Sequence, residues 1–535
     1  MPETTSLIGR SLEAEAEAAF EERVAAQADR LRRAIDAGEL DNEEFAVGLE
    51  MEVYAVEGVP ADGSESSGGD QGRDEAPGPQ SPPAWRGRLA RLPEAVFEAG
   101  ATKELGVHNA EINTAPDVCS EDGLASQAAA IAEGFDTAQR AARAHDRELV
   151  LDAMWTIPPA EGSLEYLGAY HREDGFVVAE NMRSDPRYHA IDNEVLDHAG
   201  GKIPLSVPGF EGAFPTILFE SLATSIQPHL QIPAADAVPA HFNAGIRTLG
   251  PLLALATNSP FLPADLYDPG LEDPQTLVEE THHELRIAVF EQSVNRSPNP
   301  KVRVPEDLAD ATDVVDRVVA DDLYAPFLRE WIADDGRETF ADENWEFDYR
   351  RSTYWRWLRC VLGGDPVPRA GDERSLRIEY RPLPTQPTVR DVVGLQALTT
   401  GLLRGLVAAD HPLTDLSWEA AEESFYSAAE SGLDADLAWV TADGERTRDH
   451  DRIFAEVFEF ARRGLAESCV DAADVEDYLA PIEARVEAGT TPSTWKKERV
   501  GEGLAEGLDL REAIAAMQRE YVLCSRETDA FADWL

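Results

Sequence analysis

The sequence predicts an α+β protein in which helices cover the apolar face of a sheet while the other, polar face is left as a half-open basin. Three observations carry this. Four separated stretches place carboxylates, imidazole or guanidinium on alternate residues with apolar residues between them, which is the period of a strand with one dry and one wet face. Helix-forming segments separate and follow those stretches, so the chain can return over one side of the sheet. Beyond Asp410 the pattern is almost wholly helical, predicting a C-terminal helical region over 411–535.

Residues 11–37 are rich in strong helix formers and stop at Gly38, so an N-terminal helical segment (1–40) packs outside the sheet. The first strand follows in AVGLEMEVYAV, 46–56. There Val47, Leu49, Met51 and Val53 go to one side and Glu50 and Glu52 to the other, the two acids about 7 Å apart by strand rise. From 59 to 88 the composition turns to Gly, Pro, Ser, Asp and Glu with too little apolar content to fold against anything, so it reads as a flexible insert, a spacer in preference to a lid.

The same alternation returns in HNAEIN (108–113), with Glu104 just before it. A helix is expected over 124–147 and a strand over 148–157. PHLQIP (228–233) repeats the polar alternation and leads into a helix over 240–257. LRIEYR (376–381) is the fourth such stretch, and Pro387 suits the entrance of a helix over 389–409. The sheet and its helices form one catalytic unit, 41–410. In the tail, 452–466 is helical and a Gly-Thr-Thr-Pro turn falls at 489–492.

Acids brought together on one sheet face are costly without a compensating cation. If the four strands share a sheet, a divalent metal is the economical explanation, because hard cations take oxygen ligands. The competing reading of each single stretch is a solvated strand face. The same narrow set of Glu, His and Arg four times over argues for a site.

Composition bounds the rest. A net charge of -55 repels itself strongly in dilute buffer, and roughly molar salt shortens the screening distance to about 3 Å. Of 47 basic residues only five are Lys, leaving 42 Arg; an acidic, Lys-poor surface resembles proteins of salt-loaded cytoplasm, the haloarchaeal type. Disorder as the cause of this acidity fails, since 43% of residues are hydrophobic and ten are Trp. Nucleic acid is excluded as a partner by the lack of a basic stripe. Cys119, Cys360, Cys469 and Cys524 show no metal-ligand spacing and read as reduced. With neither a signal-type segment nor a run of about 20 apolar residues, the expected location is cytoplasmic, without a membrane partner.

GLEMEVYAV, Glu104 with HNAEINTAP, PHLQ, LLALATNSPF and LRIEYRPLPTQPTVRDVVGLQAL resemble, in order, motifs of the carboxylate-amine ligases of the glutamate-cysteine ligase type 2 family. That resemblance implies a glutamine synthetase-like fold, with a curved, mainly antiparallel sheet. It also implies an ATP-dependent ligase that activates a carboxylate as an acyl phosphate and joins it to an amine, plausibly as a γ-glutamyl amide. ATP is then a cosubstrate, magnesium the metal with manganese able to replace it, and the partners are small molecules. By the same resemblance Glu50, Glu52, Glu104, Glu111, His229 and Glu379 fall on metal-binding positions and Arg381 on the catalytic, phosphate-facing Arg. Gln231 stands where relatives have His or Asn and can still hydrogen-bond a ligand. Arg286 lies where relatives place an Arg for the substrate carboxylate, a surface ion pair being the equal alternative. Arg183 and Arg187 could face an acidic substrate, and the cluster Trp355-Arg356-Trp357 with Arg359 could stack an adenine ring, but structural packing is preferred for both; His282 and His283 read as surface residues. Two other classes remain in contention: a catalytically silent scaffold of the same fold, and a metal-dependent amide hydrolase that needs no ATP.

Overall fold

The computed structural model describes residues 2–59, 87–295, 298–332, 339–367 and 373–535. Residues 60–86 of the expected insert lie outside the described residues. Among the described residues a sheet of nine strands organises the molecule: β1 (Ala46–Glu57), β2 (Arg88–Leu89), β3 (Thr102–Lys103), β4 (Asn109–Asn113), β5 (Asp117–Val118), β6 (Arg147–Val150), β7 (Ile226–Ile232), β8 (Leu358–Leu362) and β9 (Leu376–Tyr380). The order is β8-β9-β7-β1-β4-β3, with β2, β5 and β6 also paired to β1. Every pairing in it is antiparallel.

β1 is the hub because it changes neighbours along its length. Its first half lies between β7 and β4 with β5; its last residues pair instead with β6 and β2. Along β1 all residues are buried except Glu50, Glu52 and Glu57. The expected alternation is therefore real in its interior, with Val47, Leu49, Met51 and Val53 in the core.

Helices cover that apolar face. The helix Val238–Ala256 is buried around almost its whole circumference, as a helix held between layers must be. The helix Val389–Ala408 begins at Thr388, whose Oγ1 accepts the Asp391 amide at 3.2 Å. It then crosses the helix His450–Glu467 almost backbone to backbone. A Cβ on Gly405 would sit 1.8 Å from the Phe460 carbonyl oxygen, and one on Gly464 1.9 Å from that of Gly401. Only glycine permits this approach.

Local chemistry shifted some boundaries. The helix expected from 124 starts earlier, at Glu121, because Ser120 Oγ caps it by accepting the Gly123 amide at 3.2 Å. It ends at Arg143, and Asp146 with φ 56° turns the chain into β6, which is shorter than the strand expected over 148–157. The N-terminal helix Ala14–Asp36 packs on the helices Asp313–Ala320 and Trp345–Ser352, away from the sheet.

The C-terminal helices are tied into the sheet by buried polar contacts. Lys496, on the helix Pro492–Ala505, donates to Asp152 Oδ1 at 2.5 Å and to the Asn258 carbonyl at 2.7 Å. Gln518, on the helix Leu510–Glu527, donates to Asp152 Oδ2 at 2.7 Å, and Tyr54 of β1 reaches the same oxygen at 3.3 Å. Arg485 and Asp391, both fully buried, pair at 2.7 Å. No helix among the described residues is long and apolar enough to cross a membrane.

Candidate active site

Strand register decides which polar side chains meet. Across β8, β9, β7 and β1 the partners run Arg359, Glu379, His229, Gly48. One row along, Glu50 is opposite Gln227 on β7 and Asn113 on β4; beyond it Glu52 faces Glu111, which faces Thr102 on β3. Directly opposed residues of antiparallel strands share a face. Acids at positions far apart in the chain therefore stand in adjacent rows.

Charge is divided across this face. At one end Glu52, Glu104 and Glu111 bring carboxylate oxygens within 4.8 Å of one another. Burial, followed by repulsion from neighbouring acids, pushes Glu52 and Glu111 up to about 7 and Glu104 well above the ordinary carboxylate range. Glu50 rises to about 8 through burial and the nearby Glu111 and Glu379. Its Oε1 lies 3.5 Å from His229 Nε2. At the other end burial also pushes the Glu379 carboxyl up, but Arg359, Arg381 and His229 outweigh it and hold it well below the usual range. Arg359 Nε reaches Glu379 Oε1 at 3.0 Å, Arg381 Nη1 binds the same oxygen, and Arg381 also donates to Gln227 Oε1 at 2.8 Å.

The donor set fits a hard divalent cation. Three carboxylates from β1, β4 and the turn before β4 share one point, and each resists ionisation in the absence of positive charge. His229 is 8% exposed, its Nε2 is buried without a hydrogen-bond partner among the described residues, and burial followed by the Arg377 charge pushes its pKa down to about 3. A neutral imidazole with an unengaged nitrogen is the form that ligates metal. Glu52 is oriented by the Ser225 amide, which donates to Oε2 at 2.7 Å; Thr102 Oγ1 donates to Glu111 Oε1 at 3.3 Å. Such contacts fix the direction of a ligand.

Two cavities meet at Glu50. The larger, about 260 Å³, is lined by Glu50, Glu52, Glu104, Glu111, Arg359 and Arg381, and also by Glu220. The smaller, about 190 Å³, lies on the other side, with Gly48, Asn113, His229, Gln231 and Arg377 on its walls. Glu50 is the residue common to both.

The residues singled out in the sequence distribute as follows. Glu50, Glu52, Glu104, Glu111, His229, Glu379 and Arg381 converge. Gln231 lines the smaller cavity, its Nε2 already donating to the Glu44 carbonyl at 3.1 Å. Arg286 is neither on the surface nor free: it is 3% exposed, its Nε is 3.2 Å from the buried Glu284, and Nη2 donates to the Pro382 carbonyl. Arg183 donates to the carbonyls of Val107 and Asn109 and stacks on Phe97, a packing role. Arg187 lines the larger cavity while donating to Ser352 Oγ at 2.6 Å. Among the described residues the cations of the aromatic run do not stack on its Trp residues; Arg356 lies over Tyr354 and Arg286 lies over Trp357. His283 is not a surface residue, since it is half-buried with Nδ1 2.6 Å from Ser493 Oγ.

Three site residues escaped the sequence reading. Arg359 reads as packing because it is a single polar residue in the otherwise apolar LRCVL, which carries no alternation to mark a polar face. Gln227 sits two residues before His229, a spacing that places it on the same face. Glu220 comes from a 3-10 turn, Ile217–Leu222, with no periodic signal to reveal it.

Comparison with curated proteins finds no match. Among solved structures, the glutamate-cysteine ligase of Francisella tularensis in complex with AMP is 14% identical, covering 91% of this chain and 90% of that chain with a TM-score of 0.47. The complex between the prokaryotic ubiquitin-like protein Pup and its ligase PafA is 11% identical, covering 91% and 74%, with a TM-score of 0.36. A family model, glutamate-cysteine ligase family 2, matches residues 46–522. That match begins at the first residue of β1 and runs through every strand and turn that bears the acids, and the chain belongs to glutamate-cysteine ligase family 2.

Proposed function

We propose that this ligase is ATP- and magnesium-dependent, activates a carboxylate, plausibly the γ-carboxylate of glutamate, as an acyl phosphate, and joins it to an amine. The observation that supports this best is the division of one sheet face into an acidic nest and a guanidinium end with Glu50 between them. Joining a carboxylate to an amine in water is uphill. Transfer of the terminal phosphoryl group to the carboxylate makes phosphate the leaving group that the amine displaces. Such transfer needs positioning and charge neutralisation more than covalent help.

Glu52, Glu104 and Glu111 would hold one magnesium ion, and Glu50 and His229 would serve a further one. Manganese accepts the same oxygen-rich set. Bound magnesium supplies charge neutralisation at the phosphates and the substrate carboxylate. The chain's own residues supply the rest. Arg381 and Arg359, anchored on one oxygen of Glu379, present guanidinium groups that are charged at neutral pH and whose direction is set before substrate arrives. Gln231 offers its amide oxygen to the smaller cavity. Arg286 acts as a positioning residue: it grips the Pro382 carbonyl and so holds the chain immediately after Arg381.

Phosphate release by the full chain in roughly molar KCl with magnesium tests the reading. Release is expected only when ATP, glutamate or a similar acid, and an amine are all present. Amide cleavage without ATP would instead identify a hydrolase, and silence across a panel of acids and amines would identify a scaffold. Glu50→Gln removes a charge without changing shape, and is expected to abolish turnover.

A further inference from the structure

Glu220 is a carboxylate that the metal-holding arrangement does not use. It enters the larger cavity from the turn Ile217–Leu222, opposite the strands that carry the other acids. It is not one of the three acids whose oxygens cluster within 4.8 Å. Among the described residues no hydrogen bond or ion pair engages its side chain, although Arg381 and Arg286 act on it electrostatically from further away. Glu220 is half-buried, and a carboxylate so placed in a cavity wall is costly to keep charged without a cation close by. Glu220 is nonetheless near enough to Glu52 and Glu104 to raise both, so whatever neutralises it lies beside the place where a carboxylate would be activated.

The surroundings describe that cation. Apart from the acids, Arg359 and Arg381, the cavity is lined by the apolar or aromatic Ile191, Ile217, Phe290, Val294 and Trp355, and by polar residues such as Gln227 and Ser352. The apolar part of this lining gives a hydrated metal ion no oxygen ligand, while it can cover a hydrocarbon body. A primary ammonium carried on an uncharged, mainly apolar body satisfies both features: the ammonium meets the carboxylate in a charge-assisted hydrogen bond, and the body covers the apolar wall. The cavity, about 260 Å³, accommodates a small free molecule.

Resting on the ligase reading above, we infer that Glu220 is the specificity residue that seats the ammonium group of the acceptor amine, and that the preferred acceptors are compact amines with uncharged side chains. The acceptor nitrogen must approach the activated carboxyl carbon, which places its ammonium next to the acidic nest; it binds as the ammonium and attacks as the free amine, the proton passing to solvent. An ammonium three carbons away on the carboxylate substrate has no such requirement. The charge on Glu220 thus selects the acceptor, whereas the acids of the nest serve the activation step.

Steady-state kinetics of Glu220→Gln in full-length protein decide this, with L-alanine, L-cysteine, L-aspartate and hydroxylamine as acceptors. In the wild type aspartate is expected to be the poorest of the amino acids. In the variant the KM for alanine and cysteine is expected to rise about 10- to 100-fold, the worth of a charge-assisted hydrogen bond. The KM values for glutamate and ATP and the magnesium concentration for half-maximal rate should stay within about threefold, and the rate with hydroxylamine, uncharged at neutral pH, should fall by less than about threefold on the same energetic scale. A rise in the glutamate KM, a shifted magnesium requirement, or an unchanged acceptor KM would each overturn the inference. A Glu220→Gln protein that failed to unfold cooperatively would be replaced by Glu220→Met, read by the same ratio of acceptor to glutamate KM. Absence of amine-dependent turnover in the wild type is a different result: it removes the ligase reading, and this inference with it.

Discussion

Arg359 and Glu379 are register partners on β8 and β9, and two nitrogens of the guanidinium, Nε at 3.0 Å and Nη2 at 2.9 Å, converge on one oxygen, Glu379 Oε1. Arg381 lands on that same oxygen. Burial, followed by the Arg381 charge, lowers Arg359 to about 9, so the two guanidinium groups strain against each other and Glu379 keeps both in place.

Arg359→Met breaks this clamp while keeping the length of the side chain. Turnover is expected to fall about 100-fold, as for loss of one donor that stabilises transition-state charge, with smaller changes in KM for glutamate and ATP. An equal loss confined to KM would mean that Arg359 serves ground-state binding. Saturation kinetics on the purified variant separate the two.

Magnesium is expected to raise the unfolding temperature of the wild type, because the like-charged nest Glu52, Glu104 and Glu111 is relieved when a cation binds the folded form. At about 100 times the dissociation constant the stabilisation is about 2.7 kcal/mol. Glu104→Gln should do the reverse in two respects: without metal the variant is more stable than the wild type, and the magnesium-dependent shift is largely lost. Differential scanning calorimetry with and without magnesium measures both.

Lys496 and Asp152 form a buried pair that joins the C-terminal helices to the sheet. Removing one partner leaves the other charge uncompensated, so Lys496→Met is expected to cost about 3–5 kcal/mol. Lys496→Met combined with Asp152→Asn should recover much of that loss. Urea unfolding of the single and double variants gives the comparison, and equal stabilities would show that the pair is not coupled.

Asp192 is buried; its Oδ1 accepts the Ile217 amide at 2.8 Å while Oδ2 has no hydrogen-bond partner among the described residues. Burial raises its carboxyl from 3.8 to about 7. The folded protein therefore binds this proton more tightly than the unfolded chain, and the contribution to stability is full below about 4, is lost as pH rises through about 7, and is level above. Asp192→Asn is expected to be more stable than the wild type by on the order of 4 kcal/mol at pH 8, with the advantage vanishing near pH 4. Unfolding followed across that range tests the sign.

The charge of -55 predicts a dependence on salt. Dilution from roughly 1 M to roughly 0.1 M KCl lengthens the screening distance from about 3 Å to about 10 Å, and the melting temperature is expected to drop. Sucrose at matched osmolality should fail to compensate if screening is the cause.

Much of the site was legible because strand alternation is local: Glu50 and Glu52 in GLEMEV, Glu111 in HNAEIN, His229 in PHLQI and Glu379 in LRIEYR each declared a polar face with no knowledge of the others. The long apolar helices behind them were equally plain. Arg286 does make an ion pair, with Glu284 two residues earlier in ELRIAVFEQ, but nothing local reveals that the pair is buried or that the Pro382 carbonyl lies beside it.

By itself, then, the sequence determined which residues lie on wet or dry faces and which chemistry those residue types can support, because side-chain direction repeats every two residues in a strand and depends only on neighbours. The tertiary structure alone decided that Glu52 faces Glu111, that Arg359 and Arg381 share one oxygen of Glu379, and that Glu220 enters from a turn outside the sheet. Those outcomes depend on strand register and on the choice of ion-pair partner, and both are set by contacts between segments far apart in the chain.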